Sequence, residues 1–144
     1  MGGRLLRQCL RFPLRDIEHI NARQSAIAAM LESPSSLKAV VEALDDVCDV
    51  ERIVGRIAVN RASPRDLAAM GRCFTSLPSL MDDLGKLPRC EDVAPELVAM
   101  RGFCEEQAKY LAGAIRPDPP PHLREGGVIA DGFDAELDRL RQIA

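Results

Sequence analysis

The chain has 144 residues, 47% of them apolar, and carries 19 basic against 22 acidic side chains for a net charge of −3. That is enough for one domain with its own core, which excludes a disordered chain, and the near-balanced charge argues against a protein built mainly to neutralise phosphates. With no Trp, one Tyr and four Phe, the core has to come from Leu, Ile, Val, Met and Ala, a palette that favours helices over a sheet.

Gly3 to Phe12 reads as a first helix with Leu5, Leu6, Cys9 and Leu10 on one side and no convincing cap in front of it. Pro13 stops it, and Asp16 caps a second helix whose Ile17, Ile20, Ile27 and Leu31 are expected to face the core, with Ala26, Ala28 and Ala29 nearby. Ser33 to Ser36 reads as a turn. A third helix follows, with Leu37, Val40, Val41 and Leu44 spaced i, i+3, i+4, i+7, and ends in Asp45-Asp46.

The centre of the chain is the stretch from Asp49 to Met70, which predicts helix, short turn, helix. Asp49 supplies the N-cap, and Val50, Ile53, Val54, Ile57 and Ala58 fall on one face, leaving Glu51, Arg52 and Arg56 on the other. The run breaks at Asn60 to Ala62. Ser63-Pro64 restarts it with a hydroxyl cap and a proline at the first helical position, where its missing N–H costs nothing. Leu67, Met70, Phe74 and Leu77 continue as a second stripe, so the two helices are expected to lie against each other as a hairpin.

Leu77-Pro78 then interrupts the pattern, and Ser79 is expected to cap a separate short helix with Leu80, Met81, Leu84 and Leu87 on its buried side, ended by Pro88. From Pro95 to Ile115 the spacing of Leu97, Met100, Cys104, Ala108, Leu111 and Ile115 predicts a five-turn helix. Pro117, Pro119, Pro120 and Pro121 make Arg116 to Gly127 an extended crossing. A short extended Val128-Ile129-Ala130, open to one strand pairing, precedes a last helix from Gly132 to Ala144 carrying Phe133, Leu137 and Leu140. The start and the end both read as cut. The fold class expected is an all-α bundle of about six or seven helices in a single domain.

Little of the chain carries a chemical signature. His19 and His122 are far apart and neither sits in a metal-binding or catalytic spacing, and the Gly2-Gly3 and Gly126-Gly127 pairs lack the Lys-Ser/Thr of a phosphate loop. Cys9, Cys48, Cys73, Cys90 and Cys104 are odd in number and scattered, with no metal-site spacing, and read as reduced core thiols of a cytoplasmic protein. No apolar run approaches the ~20 residues of a membrane span, and no signal-peptide core opens the chain. Arg4, Arg7, Arg11 and Arg15 form a basic stripe that is the best nucleic-acid signal present, set against the plainer reading of a solvated helix face. Arg52, Arg56, Arg65 and Asp66 gather at the central hairpin, where a structural role in locking its helices outweighs any ligand role.

Three blocks, GGRLLRQCLRFPLRDIEHINARQSAI, DVERIVGRIAVNRASPRDLAAM and LREGGVIADGFDAELDRLR, together resemble successive parts of the core or lever domain (domain III) of the bacterial MutS family of DNA mismatch repair ATPases. They occur in the family's order and separations, and the resemblance covers essentially the whole chain. Cys9 departs from it, standing where the family usually has a tryptophan, which weakens one packing contact. The resemblance implies the first half of a helical core domain, without the mismatch-binding, clamp and ATPase domains. ATP and Mg would belong to the parent protein and no cofactor to this piece, which would be no enzyme itself. Its implied role is to couple DNA clamping to nucleotide state. Its implied partners are the rest of the parent chain and, through the parent, mismatched double-stranded DNA, a second MutS subunit and MutL, with no membrane. Helices deprived of the other half would expose their stripes, so the isolated piece is expected to self-associate. A free-standing helical adaptor that dimerises through leucine faces is the alternative, and a small helical enzyme resting on the histidines and on Glu105 and Glu106 is a third reading.

Overall fold

A computed structural model describes residues 2–86 and 99–143. It is all-α: α1 (Gly3–Arg11), α2 (Ile17–Glu32), α3 (Pro34–Asp45), α4 (Val50–Ala58), α5 (Pro64–Gly85), α6 (Arg101–Ala114), one 3-10 turn at Leu123–Glu125 and α7 (Ala135–Ile143). Among the described residues no strand occurs, and the expected strand pairing reduces to an isolated antiparallel bridge between Ile115 and Ile129. Two compact units divide the chain, one of Met1–Val47 with Ser76–Arg101, the other of Cys48–Thr75 with Gly102–Ala144. Helix α5 gives its first half to the second of these and its remainder to the first.

In the first unit, α2 starts where its cap dictates: the Asp16 carboxylate accepts the N–H groups of Glu18 and His19 at 2.8 and 3.2 Å. The turn expected at Ser33 to Ser36 shrinks to Ser33 alone. Pro34 opens α3 at its first position, where fixed φ and a missing N–H suit a helix start, and Ser35 and Ser36 are already helical. The core joins Val40 and Leu80 with Met30, Ala43, Val47, Leu77 and Leu84. Apart from Met30, the large apolar residues expected from α2 are not seated in it: Ile17, Ile27 and Leu31 are exposed, while Ala26 and Ala29 are buried. Small side chains on that face allow α3 to approach, so alanines take the interior positions expected for the isoleucines.

Pro78 does not end a helix. α5 runs through it to Gly85, and the separate helix expected behind a Ser79 cap does not exist. Losing one N–H to the Phe74 carbonyl costs roughly 3 kcal/mol. Only an unbroken helical path keeps Leu77, Leu80 and Leu84 on one face, where all three enter the core around Val40. Burying such side chains contributes roughly 1.5–3 kcal/mol each when complete, which outweighs the lost bond. The expected contributions of Leu87, Pro88, Cys90, Pro95 and Leu97 lie outside the described residues.

In the second unit the core joins Ala68, Ala114, Ile115 and Val128 with Leu67 and Ile129, and Cys73 and Cys104 are almost fully buried. α5 and α6 touch at Gly71, where an added Cβ would stand 3.1 Å from Leu111 Cβ. Of the long helix expected from Pro95, the described residues show Ala99 helical, a turn at the exposed Met100 and then α6 from Arg101, with 95–98 lying outside them. It ends at Ala114 rather than Ile115. Arg116 precedes a proline and is driven to extended backbone, so its N–H leaves the helix for the Val128 carbonyl, at 3.0 Å. The last helix also starts later than expected, at Ala135. Gly132 has φ +85° and the Asp134 carboxylate caps the N–H groups of Glu136 and Leu137.

Candidate functional site

The α4–α5 hairpin is specified by local chemistry at both helix ends. Asp49 accepts the Arg52 N–H at 3.2 Å and its carboxylate lies 4.0 Å from the Arg52 guanidinium. At the other end, Asn60 takes the left-handed conformation (φ +54°), and the Asn60 and Arg61 N–H groups reach back to the Ile57 and Arg56 carbonyls. This six-to-one and five-to-two pairing is the Schellman closure, with Asn in the place glycine usually holds. Ser63 and Asp66 then form a reciprocal capping box: the Asp66 N–H donates to Ser63 Oγ at 3.2 Å, and the Ser63 N–H donates to Asp66 Oδ2 at 2.9 Å.

Across the hairpin, Arg56 donates from one terminal nitrogen to Asp66 Oδ1 at 2.7 Å, so one carboxylate caps α5 and anchors α4 at once. Burial pushes the Asp66 carboxyl up, but the Ser63 hydrogen bonds and the charges of Arg56 and Arg52 outweigh it and hold it below the ordinary carboxylate range. This geometry reverses one expectation. Of the apolar stripe on α4 only Ile53 is buried, Val54 and Ile57 are exposed, and Arg56 is half-buried because its charge is needed at Asp66.

Arg65 takes no part in that pair. Its Nε donates to the Pro119 carbonyl at 3.3 Å, and Arg72, seven residues on and therefore on the same side of α5, donates to the Pro117 carbonyl, also at 3.3 Å. Two guanidinium groups thus hold the proline crossing. Behind it, Asp131 accepts from Arg116 at 2.8 Å and from Arg141 at 2.9 Å, while Arg141 also reaches Asp138 at 3.2 Å and the Ile129 carbonyl at 2.9 Å. The Arg116 hydrogen bond and charge keep the Asp131 carboxyl below its usual value. Sequence reasoning missed Arg72, Arg116, Asp131, Asp138 and Arg141. The i, i+7 repeat of Arg65 and Arg72 opposite prolines two apart was the one readable signal for the clasp.

The remaining candidates scatter. Arg4, Arg7 and Arg11 lie on α1, which has no buried residue, whereas Arg15 falls in the connection beyond the helix. Ring contacts join Phe74 to Phe103 and Tyr110 to Phe133. His19 pairs with Asp16 at 3.4 Å in the first turn of α2, His122 is an exposed residue before the 3-10 turn, and Glu105 and Glu106 are exposed. Among the described residues no group of three or more His, Cys, Asp or Glu is placed to hold a metal ion, and no helix is long and apolar enough to cross a membrane. Burial first, and then the Cys73 neighbour, push the Cys48 thiol up to about 11. Cys104 is raised as well, by burial and then by Cys73. What these arrangements supply is position: charged side chains that close one hairpin and tether one crossing.

Comparison with known proteins agrees with that emphasis on architecture. The family model described as MutS domain III matches residues 1–144. The DNA mismatch repair protein MutS of Synechococcus sp. (strain JA-2-3B'a(2-13)) is 40% identical over 147 aligned positions, which take in 99% of this chain and 16% of that protein. The chain therefore spans about one sixth of the length of that curated relative.

Proposed function

We infer the function from one premise: the chain belongs to the MutS domain III family. Its role in a DNA mismatch repair protein is mechanical. It is a helical lever segment that carries the state of a DNA clamp to a nucleotide site, with the chemistry done elsewhere in the parent chain. ATP with Mg, mismatched duplex DNA, a second MutS subunit and MutL would be ligands and partners of the parent. The observation that carries this reading is the match of one family model to every residue of the chain. It is supported by where the charged side chains go. Arg56, Arg65, Arg72, Arg116 and Arg141 are spent on carboxylates and backbone carbonyls of the chain itself, as a strut that transmits position requires.

Coupling of this kind is a free energy between two sites. The test introduces Asp66→Ala into the full-length protein and measures nucleotide affinity with and without mismatched duplex. The expected result is that each ligand still binds while the factor by which one changes the other falls several-fold. An unchanged factor, with the hairpin demonstrably loosened, would refute the lever role.

A second reading concerns α1. Between Gly2 and Arg15 there are four arginines and no acidic residue, and no residue of the helix is buried. Arg4, Arg7 and Arg11 share one face and would contact phosphates, in which case duplex affinity should fall with salt at a slope of about −2.7 on a log–log plot.

A further inference from the structure

Five side chains of this sequence carry an aromatic ring, and none of them belongs to either apolar core. Four lie in the second unit and meet in two edge-on pairs, Phe74 with Phe103 at 6.3 Å between ring centroids and Tyr110 with Phe133 at 5.8 Å. Phe103 and Tyr110 are seven residues apart on α6 and so share one face, and with Phe133 they are 52, 60 and 44% exposed. Glu106 stands between the two on that face, exposed and with no ion-pair partner among the described residues. Gly113, one turn past Tyr110, stands in open space, so a second helix has room to come close at that end of the row.

The first helix carries a row of the complementary kind. Arg4, Arg7 and Arg11 repeat at i, i+3, i+7, which is also the spacing of Phe103, Glu106 and Tyr110, so both helices present side chains at the same ~5–6 Å intervals. A guanidinium stacks on an aromatic ring and pairs with a carboxylate, and no acidic residue between Gly2 and Arg15 competes for it. The fifth ring, Phe12, follows α1 directly and is exposed. We propose that α1 of one copy of this chain docks through its arginine row on the Phe103–Glu106–Tyr110 ridge of a second copy, with Arg7 against Glu106 and Arg11 against the Tyr110 ring.

Such a contact is heterologous. A copy that lends its α1 keeps its own ridge open, so assembly grows with concentration into short chains and does not stop at a closed dimer. Leu5 and Leu6 lie on the other side of α1 and take no part, which separates this interface from one built on leucine faces. Its exposed guanidinium–carboxylate pairing makes it weaker at high salt. The contact goes beyond the lever reading, and it uses the same arginines as the phosphate reading of α1. Glu106 and Tyr110 tell those two apart, because neither belongs to α1.

The experiment is sedimentation velocity of the 144-residue chain over a range of concentrations at low salt, with circular dichroism checking that each variant is folded. The double variant Arg7→Glu, Arg11→Glu should associate about tenfold more weakly than the wild type, and so should each ridge variant, Tyr110→Ala and Glu106→Arg. An equimolar mixture of the α1 double variant with Tyr110→Ala should form a one-to-one complex of wild-type affinity, because one partner still supplies the ridge and the other still supplies α1. A wild-type chain that stays monomeric, association unchanged in the α1 variant, or a mixture that does not associate would each overturn the proposal. Association lost in the α1 variant but kept in both folded ridge variants would overturn it too, and would leave the arginines to phosphates or to another surface.

Discussion

Replacing Asp66 by Ala removes two hydrogen bonds at one stroke. The Ser63 N–H loses its acceptor at 2.9 Å and the Arg56 guanidinium loses its partner at 2.7 Å, while the bond from the residue-66 backbone N–H to Ser63 Oγ is kept. Losing the capping half of the arrangement costs about 1 kcal/mol. The ion pair contributes about as much again, discounted because the Arg56 side chain is 36% exposed while Asp66 is 14% exposed. Stranding Arg56 adds to this, since its Nε is buried without a partner even with Asp66 in place. The total is roughly 2–3 kcal/mol, equivalent to a fall in Tm of about 6–12 °C for a chain of this size. Urea and thermal unfolding of Asp66→Ala, Arg56→Ala and the double variant, followed by circular dichroism, give both the loss and the coupling. A coupling near 1 kcal/mol is expected. Coupling below about 0.3 kcal/mol would mean that the pair is surface decoration and that the hairpin is held by its apolar contacts alone.

Four further outcomes follow from the same geometry. Gly55→Ala, in open space on α4, should raise stability by about 0.5–1 kcal/mol, whereas Gly71→Leu should lower it by about 1–3 kcal/mol because its side chain would meet Leu111; urea midpoints separate the two. The carboxyls of Asp66, Asp82 and Asp131 all titrate below the ordinary range in the folded chain. The stabilisation they give is therefore complete above their unfolded value near 3.9 and lost as pH falls through their folded values. Tm measured from pH 6 to pH 2 should drop mainly below about pH 4, and Asp131→Asn should flatten that limb. Light scattering of the isolated chain over a range of concentrations should show association, given that Leu5, Leu6, Leu10, Ile17 and Leu31 are all more than 60% exposed; a monomer throughout would count against it. Duplex affinity of Arg7→Glu, compared with wild type at two salt concentrations, should be weaker with a shallower slope, and identical slopes would remove α1 from any phosphate contact.

The helices and their caps were readable because they are written locally. Asp16, Asp49 and Ser63-Pro64 each announce a start within four residues, and each start is found where the residues place it. What was not readable depends on tertiary competition. Pro78 reads as a stop until the core around Val40 makes an unbroken α5 worth its lost hydrogen bond. Which face of α2 is inside likewise depends on how closely α3 approaches, and that favours Ala26 and Ala29 over the larger Ile27. The hairpin cluster was legible apart from Arg65, whose partner lies 54 positions away, and for the same reason the clasp on the crossing left only the spacing of Arg65 and Arg72 as a trace. The MutS resemblance supplied the family, which no spacing or charge pattern in the chain would have done.

The crossing between Arg116 and Gly127 has a thermodynamic side as well. Four of its residues are prolines, whose rings already confine φ before folding begins. Such a segment surrenders little chain freedom when it settles, so two guanidinium contacts from a neighbouring helix are enough to seat it. A glycine-rich segment of the same length would need a far larger anchorage, and any replacement of these rings should register first as looseness in the crossing rather than as damage to the core.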